Sequence, residues 1–340
     1  MTQHEITAKG PLLNDNGLIR EPGWARSLIL NYNRNMIKAP RNRIKEWDYY
    51  AVLNDKFGIA FTIADNGYMG FISVTLFDFE KKEEITKTIM TPFPMGKFNM
   101  PASSAEGDVQ FKQKGFYLTF ENNLNTRVLS VNIANFQKGH PLSGMITLSK
   151  DPEHDSMVIA TPFKKKGHFY YNQKINNMKA SGKFEFKGKI YDFDTRPSFA
   201  VLDWGRGVWT YQNTWYWGSA SGELEGVPFG FNIGYGFGDT SAATENMLFY
   251  GGKAHKLEDV SFNIPPDSYL KPWTFTSSDK RFEMNFEPVL DRHSNSNFLI
   301  LQSDQHQVFG YFTGIAVLND GTELILDKFF GFAEKVYNRW

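Results

Sequence analysis

The residues with the most chemical potential lie between Asp203 and Asn246. Asp203 and Arg206 flank Gly205 in Asp203-Trp204-Gly205-Arg206-Gly207-Val208-Trp209. They could form a bidentate pair or jointly hold the polar end of a ligand; a structural ion pair pinning the mouth of a barrel is the plainer alternative. Glu245 and Asn246 follow a small polar loop, Gly238 to Thr244. A carboxyl placed against aromatic walls loses solvation, its pKa rises, and it becomes a general acid. The plainer reading of Glu245 is a strand-start carboxylate bonded to backbone amides. Together Asp203 and Glu245 could supply the acid and base that protonate an alkene or add water.

Aromatic residues surround these groups in the sequence. Trp209 and Tyr211 precede Thr214-Trp215-Tyr216-Trp217-Gly218-Ser219-Ala220-Ser221-Gly222. Residues of like parity share one face of a strand, so Trp215, Trp217, Ser219 and Ser221 form an amphipathic wall suited to a ligand. In the next segment Phe229, Phe231, Ile233, Tyr235 and Phe237 share one face, and Gly230, Asn232, Gly234, Gly236 and Gly238 share the other. A face that bare implies close approach by another backbone or by a ligand, or a tight barrel corner. Tyr170 and Tyr171 must point to opposite faces, and Tyr171 is taken as the ligand-facing member. His293, beside Asp291 and Arg292, reads as a loop histidine.

Positioning such residues requires sheet. The chain has 31 Phe, 8 Trp, 15 Tyr and 29 Gly, a mixture suited to pleated surfaces and turns. Period-two alternation marks Phe57–Ile63, Phe116–Phe120 and Leu129–Ile133. Asp65-Asn66-Gly67, Lys187-Gly188, Gly251-Gly252 and Asn319-Asp320-Gly321 supply turns. The last of these predicts a hairpin of Phe309–Leu318 with Glu323–Phe332. Trp24–Met36 is a candidate short helix or irregular arm. The fold expected is all-β, two lipocalin-like antiparallel β-barrels in tandem. Asp194-Thr195-Arg196-Pro197-Ser198 suggests the boundary, giving an amino-terminal barrel with its arm over residues 1–195 and a carboxy-terminal barrel over 196–340.

Several function classes lose support. There is no cysteine, so thiolate chemistry is excluded. Lys+Arg and Asp+Glu are both 37, and Lys164–Lys166 is the only compact basic run, which argues against nucleic acid. The seven histidines show no His-x-His or His-x-x-x-His spacing, so no metal site is expected. Gly234-x-Gly236-x-Gly238 lacks the dinucleotide spacing, and no cofactor is expected. No apolar run reaches the length of a spanning helix, and Met1–Glu5 does not read as a secretory signal, so a cytoplasmic location without membrane insertion is expected.

The Asp203–Trp209 motif, Trp215–Gly222 and Thr244-Glu245-Asn246 together resemble the signature of a bacterial family, domain of unknown function 2804. Gly23–Arg26, Glu46–Tyr50 and Phe169–Lys174 fit the same resemblance, which extends over most of the chain; Thr210 departs from the Pro expected there. The resemblance implies the calycin group of lipocalin-like barrels and distant kinship to two-barrel carotenoid hydratases, with no established activity. Three functions follow as expectations. The chain binds a hydrophobic, lipid- or terpenoid-like molecule in a barrel cavity and catalyses cofactor-independent hydration, dehydration or isomerisation. Alternatively it carries such a molecule unchanged, or it is a scaffold with filled barrels. In the first reading Asp203 and Glu245 act as acid and base, Arg206 orients a polar end, and Trp209, Tyr211, Trp215, Trp217, Ser219, Asn232, Asn246 and Tyr171 contact the ligand.

Overall fold

The structure, a computed structural model, describes residues 3–123, 125–298 and 301–339. Met1 and Thr2 of the amino-terminal segment lie outside these. Among the described residues there is no α-helix, and no helix is long and apolar enough to cross a membrane.

Two curled antiparallel sheets carry most of the chain. The first has 13 strands. Its main path runs Glu83–Pro92, Met69–Asp78, Phe57–Asp65, Ile44–Leu53, Phe199–Val208, Phe169–Phe186, His140–Ser149, Thr126–Gln137, Phe116–Asn123 and Val109–Gln113. The second has nine strands, in the order Lys253–Lys256, Met247–Tyr250, Val227–Tyr235, Gln212–Leu224, Glu323–Arg339, Leu301–Val317, Phe282–Phe298, Trp273–Ser277 and Val260–Asn263. Neither order returns to its first strand, so each unit is a half-barrel rather than a ring closed by hydrogen bonds. The predicted carboxy-terminal hairpin is present and longer than expected, with Gly310 opposite Gly331. His293, read from the sequence as a loop residue, lies within the strand Phe282–Phe298.

Alternation explains how each sheet acquires two different faces. Ile59, Phe61 and Ile63 enter the core of the first sheet with Tyr50, Val52, Leu202 and Trp204. Their neighbours of opposite parity, Ala60, Tyr49, Ala51 and Val201, pack against Trp217, Phe309 and Phe332 of the second sheet. Phe229, Phe231 and Ile233 likewise fill the second sheet's own core with Phe282, Phe286 and Phe312. Both concave interiors are therefore occupied by side chains, and the outer faces meet in a seam.

The break at Asp194–Ser198 is a turn within the first sheet. Phe193–Thr195 forms a 3-10 turn, and Phe199–Val208 then enters the sheet between Ile44–Leu53 and Phe169–Phe186. The chain crosses to the second sheet over Trp209–Tyr211, after Val208 rather than after residue 195. Pro197 has no ladder position to disrupt because it precedes the strand. The Trp24–Met36 segment is an arm, not an α-helix: Gly23–Ala25 pairs with Met157–Pro162, and Arg34–Met36 is a 3-10 turn.

A bulge ties the sheets together. Register slips between Ile175 and Met178, and Asn177 adopts φ 58°. Asn176 Nδ2 donates to Ser219 Oγ at 2.8 Å and to Phe231 O at 3.1 Å across the seam. Gly230 is bare for this reason, since a Cβ there would lie 2.5 Å from Asn177 Oδ1.

Candidate functional site

The seam holds a cavity of about 650 Å³. One wall comes from the first sheet, with Trp47, Thr62, Ala64, Tyr170, Lys174 and Asp203. The other comes from the second sheet and the loop after it, with Trp215, Trp217, Phe237, Glu245, Arg292 and Glu334. The cavity opens between the edge strand carrying Thr88 and Met90 and the hairpin carrying Ser294 and Ser296. Met90 is 66% exposed at this rim.

The aromatic wall is packed edge to face. Trp47 stacks on Tyr170 at 6.0 Å and meets Trp209 edge-on at 5.0 Å. Phe237 is edge-on to Trp209, Trp215 and Tyr170. Trp47 can lie across the sheet because its neighbour is Gly205, where a Cβ would fall 1.9 Å from the indole. Phe237 does not share a face with Phe229 and Phe231. The strand ends at Tyr235, and positive φ at Gly236 turns Phe237 into the seam.

Polar groups converge beneath this wall. Lys174 Nζ meets Asp203 Oδ1 at 2.7 Å and lies 4.1 Å from the Trp217 ring centroid. Asn172 Nδ2 also donates to Asp203 Oδ1, at 2.5 Å. Asp203 is therefore a neutralised, positioned carboxylate. Glu245 and Glu334 differ, because among the described residues no ion pair holds either of them. Glu334 accepts the Trp215 indole N–H at 3.0 Å. Burial drives its pKa up to about 7, and the Trp215 hydrogen bond and the charge of Lys174 only partly oppose this. Burial also raises the Glu245 carboxyl, against the pull of Lys174 and with the repulsion of Asp203 added. Tyr170 is pushed well above the usual phenol range by burial and then by Glu245, Asp203 and Glu334, so all three acids act on one phenol.

Asn232 fastens the two halves of the wall. Its Oδ1 accepts the Trp217 indole N–H at 2.7 Å, and its Nδ2 donates to the backbone oxygen of Glu245 at 2.8 Å. Gly234 leaves room for the Glu245 side chain, as a Cβ there would sit 2.8 Å from Oε1.

Asp203, Glu245, Trp209, Trp215 and Trp217 thus line one cavity. Arg206 does not. Residues three apart in a strand point to opposite faces, so Arg206 enters the first sheet's core while Asp203 faces the seam. There its Nη1 bonds Asp48 Oδ1 at 3.0 Å and also reaches Trp47 O and Gly205 O, while Nε and Nη2 both donate to Pro101 O. Tyr171 is buried in the same core and donates to Leu30 O at 2.9 Å, leaving Tyr170 as the cavity-facing tyrosine. Tyr211 is 45% exposed and lies outside the cavity lining. Ser219 faces the seam but lines a separate groove of about 740 Å³, which contains none of Asp203, Glu245 or Glu334. Asn246 is a clip: its Oδ1 accepts the Gly234 N–H and its Nδ2 donates to Glu258 O. The cavity itself lies between the half-barrels, not inside one.

Lys174, Glu334, Arg292 and Trp47 were not singled out from the sequence as site residues. A signal existed for two of them. Glu334 shares parity with Phe330 and Phe332, and Lys174 shares parity with Tyr170 and Asn172, so each places a charge on a seam-facing stripe.

The chain matches the family described as domain of unknown function (DUF2804) over residues 3–340. It belongs to that family. Two solved structures share its fold. An AttH-type protein of Nitrosomonas europaea superposes with a TM-score of 0.53 at 11% identity, over 91% of this chain and 96% of that one. Kievitone hydratase of Nectria haematococca superposes with a TM-score of 0.50 at 10% identity, over 98% of this chain and 97% of that one. At these identities the likeness concerns the fold alone. No curated protein matches by sequence.

Proposed function

We propose that this DUF2804 protein binds a hydrophobic small molecule in the seam cavity and adds, removes or relocates a proton there, as hydration, dehydration or double-bond isomerisation requires. The observation that carries this reading is the placement of Glu245 and Glu334 on an aromatic wall, both buried, raised in pKa and, among the described residues, engaged in no ion pair. A carrier has no use for such groups, since burying a carboxyl with no countercharge costs stability. A general acid needs that environment. The hydratase fold of one structural neighbour agrees with the reading.

In the hydration direction, one carboxyl of the pair gives its proton to an alkene carbon. Water adds to the adjacent carbon, and the other carboxylate takes the proton that water loses. Glu334, with a pKa near neutral, can hold or release that proton at physiological pH. Asp203 is tied up by Lys174 and Asn172, so it sets the field around Glu245 and Glu334 and is not itself the donor. Trp47, Trp209, Trp215 and Trp217 shield a cationic carbon from stray water.

The test is native mass spectrometry of the protein after incubation with a lysate lipid extract and, separately, with kievitone, followed by chromatography of the released compound. The wild type is expected to retain a compound and release a product that differs by one water or is an isomer. Glu334→Gln and Glu245→Gln should retain the compound and lower product formation by about 100-fold or more. Retention without conversion, identical in all three proteins, would leave a carrier.

A further inference from the structure

A second constellation lies on the long hairpin of Phe282–Phe298 and Leu301–Val317, apart from the carboxyls above. His293 and His306 stand directly opposite each other in the antiparallel register. Their rings lie parallel, with centroids 4.0 Å apart. Asp304 is two residues from His306 and so shares its face. The ligand atoms of His293, Asp304 and His306 all fall within 4.8 Å of one another.

We propose that His293 Nε2, Asp304 and His306 Nε2 bind one divalent transition-metal ion of the zinc type, leaving a coordination position open toward the cavity rim. Two imidazoles and one carboxylate are a donor set for such ions. The hydrogen bonds around His306 argue for this. Asp291 Oδ2 lies 2.8 Å from His306 Nδ1, and a carboxylate there fixes the proton on Nδ1. The Nε2 lone pair then faces Asp304 Oδ1 across 3.8 Å. The two atoms stand close enough for one cation to be shared between them. Ligand atoms bound at about 2.1 Å around one metal stand roughly 3–3.5 Å apart, so this gap needs only a small closure.

The surroundings suit a metal site. Asp291 to His306 to metal is the carboxylate–imidazole relay that orients metal ligands. Tyr269 stacks on the other face of His306 at 3.7 Å and holds the ring in place. The short His293 Nε2–Asp304 Oδ1 contact of 2.9 Å, supported by Asn295 at 3.3 Å, would open as the ion enters. His293 also belongs to the lining of the seam cavity, so a bound ion would sit at its mouth. Histidine spacing along the chain could not show this site, because the two rings meet only across strands.

The experiment is zinc titration of the full chain by calorimetry, in competition with a chromogenic chelator, and the same titration with cobalt followed by its visible absorption. One equivalent should bind, with cobalt bands of nitrogen and oxygen ligation. His306→Gln and His293→Gln should each weaken zinc by at least tenfold. Asp291→Asn, which leaves all three ligands in place, should weaken it by about 10–100-fold. His293 is 46% exposed, so its variant should keep the wild-type melting temperature and circular dichroism. Absence of competition with the chelator, or zinc affinity unchanged in both histidine variants, overturns the site.

Discussion

Replacing Glu334 by Gln is expected to make the protein more stable at alkaline pH while removing the proposed proton-transfer activity. The side chain keeps its shape, and Oε1 can still accept the Trp215 indole proton. What disappears is the obligation to bury a charge. The folded chain moves this carboxyl from an ordinary 4.5 to about 7. A difference of that size is worth roughly 3 kcal/mol between the two protonation states. The sign follows from linkage. Between pH 4.5 and 7 the folded protein keeps a proton on Glu334 that the unfolded chain has released. Rising pH therefore favours the unfolded chain, and the stability present below about pH 4.5 is lost as pH climbs through 7. The neutral amide of the variant carries no such slope. The variant should already lead by about 1 kcal/mol at pH 5, and at pH 8 it should be more stable by as much as about 3 kcal/mol. Urea unfolding of both proteins at pH 5, 6, 7 and 8, compared as differences, isolates this one group from every other titration. A stability difference that does not change with pH would refute the assignment of a buried, proton-holding Glu334. So would a variant that becomes progressively less stable toward pH 8.

Two other substitutions separate the core from the cavity. Arg206→Met should cost about 3–5 kcal/mol in urea unfolding, because Asp48 is left buried without its cation, yet cavity ligand uptake measured on the folded fraction should be unchanged since Arg206 lies on the opposite face; loss of ligand from a normally stable variant would contradict the face assignment. Gly205→Ala should displace the Trp47 ring, lowering stability by about 1–3 kcal/mol, and should shift tryptophan emission and weaken ligand retention, whereas an unchanged emission spectrum would mean that Trp47 is not seated over residue 205.

Much of the architecture was readable from the chain. Alternation of Ile59, Phe61 and Ile63 with small residues marks a strand with two unlike faces, and the carboxy-terminal hairpin is announced by Asn319-Asp320-Gly321. The wall of Trp215 and Trp217 and the bare stripe of Gly230, Asn232 and Gly234 also followed from parity, and both face the seam. Errors arose where parity was not carried through. Asp203 and Arg206 are near in sequence but on opposite sides of one strand, and Tyr170 rather than Tyr171 looks into the cavity. Pro197 signalled a turn correctly, but a turn between strands of one sheet reads the same as a boundary between sheets.

The sequence by itself determined that the chain is built of strands, which side chains share a face, and that one stretch concentrates tryptophan, glycine and acid. Those properties are local, set by backbone pleating and the preference of apolar side chains for one side. Tertiary structure alone decided which polar groups meet. Lys174, Asp203, Glu245 and Glu334 come from two sheets and are gathered only when the outer faces pack together; His293 finds His306 only through the register of a hairpin. Such meetings depend on long-range burial of the two cores, and no spacing along the chain records them.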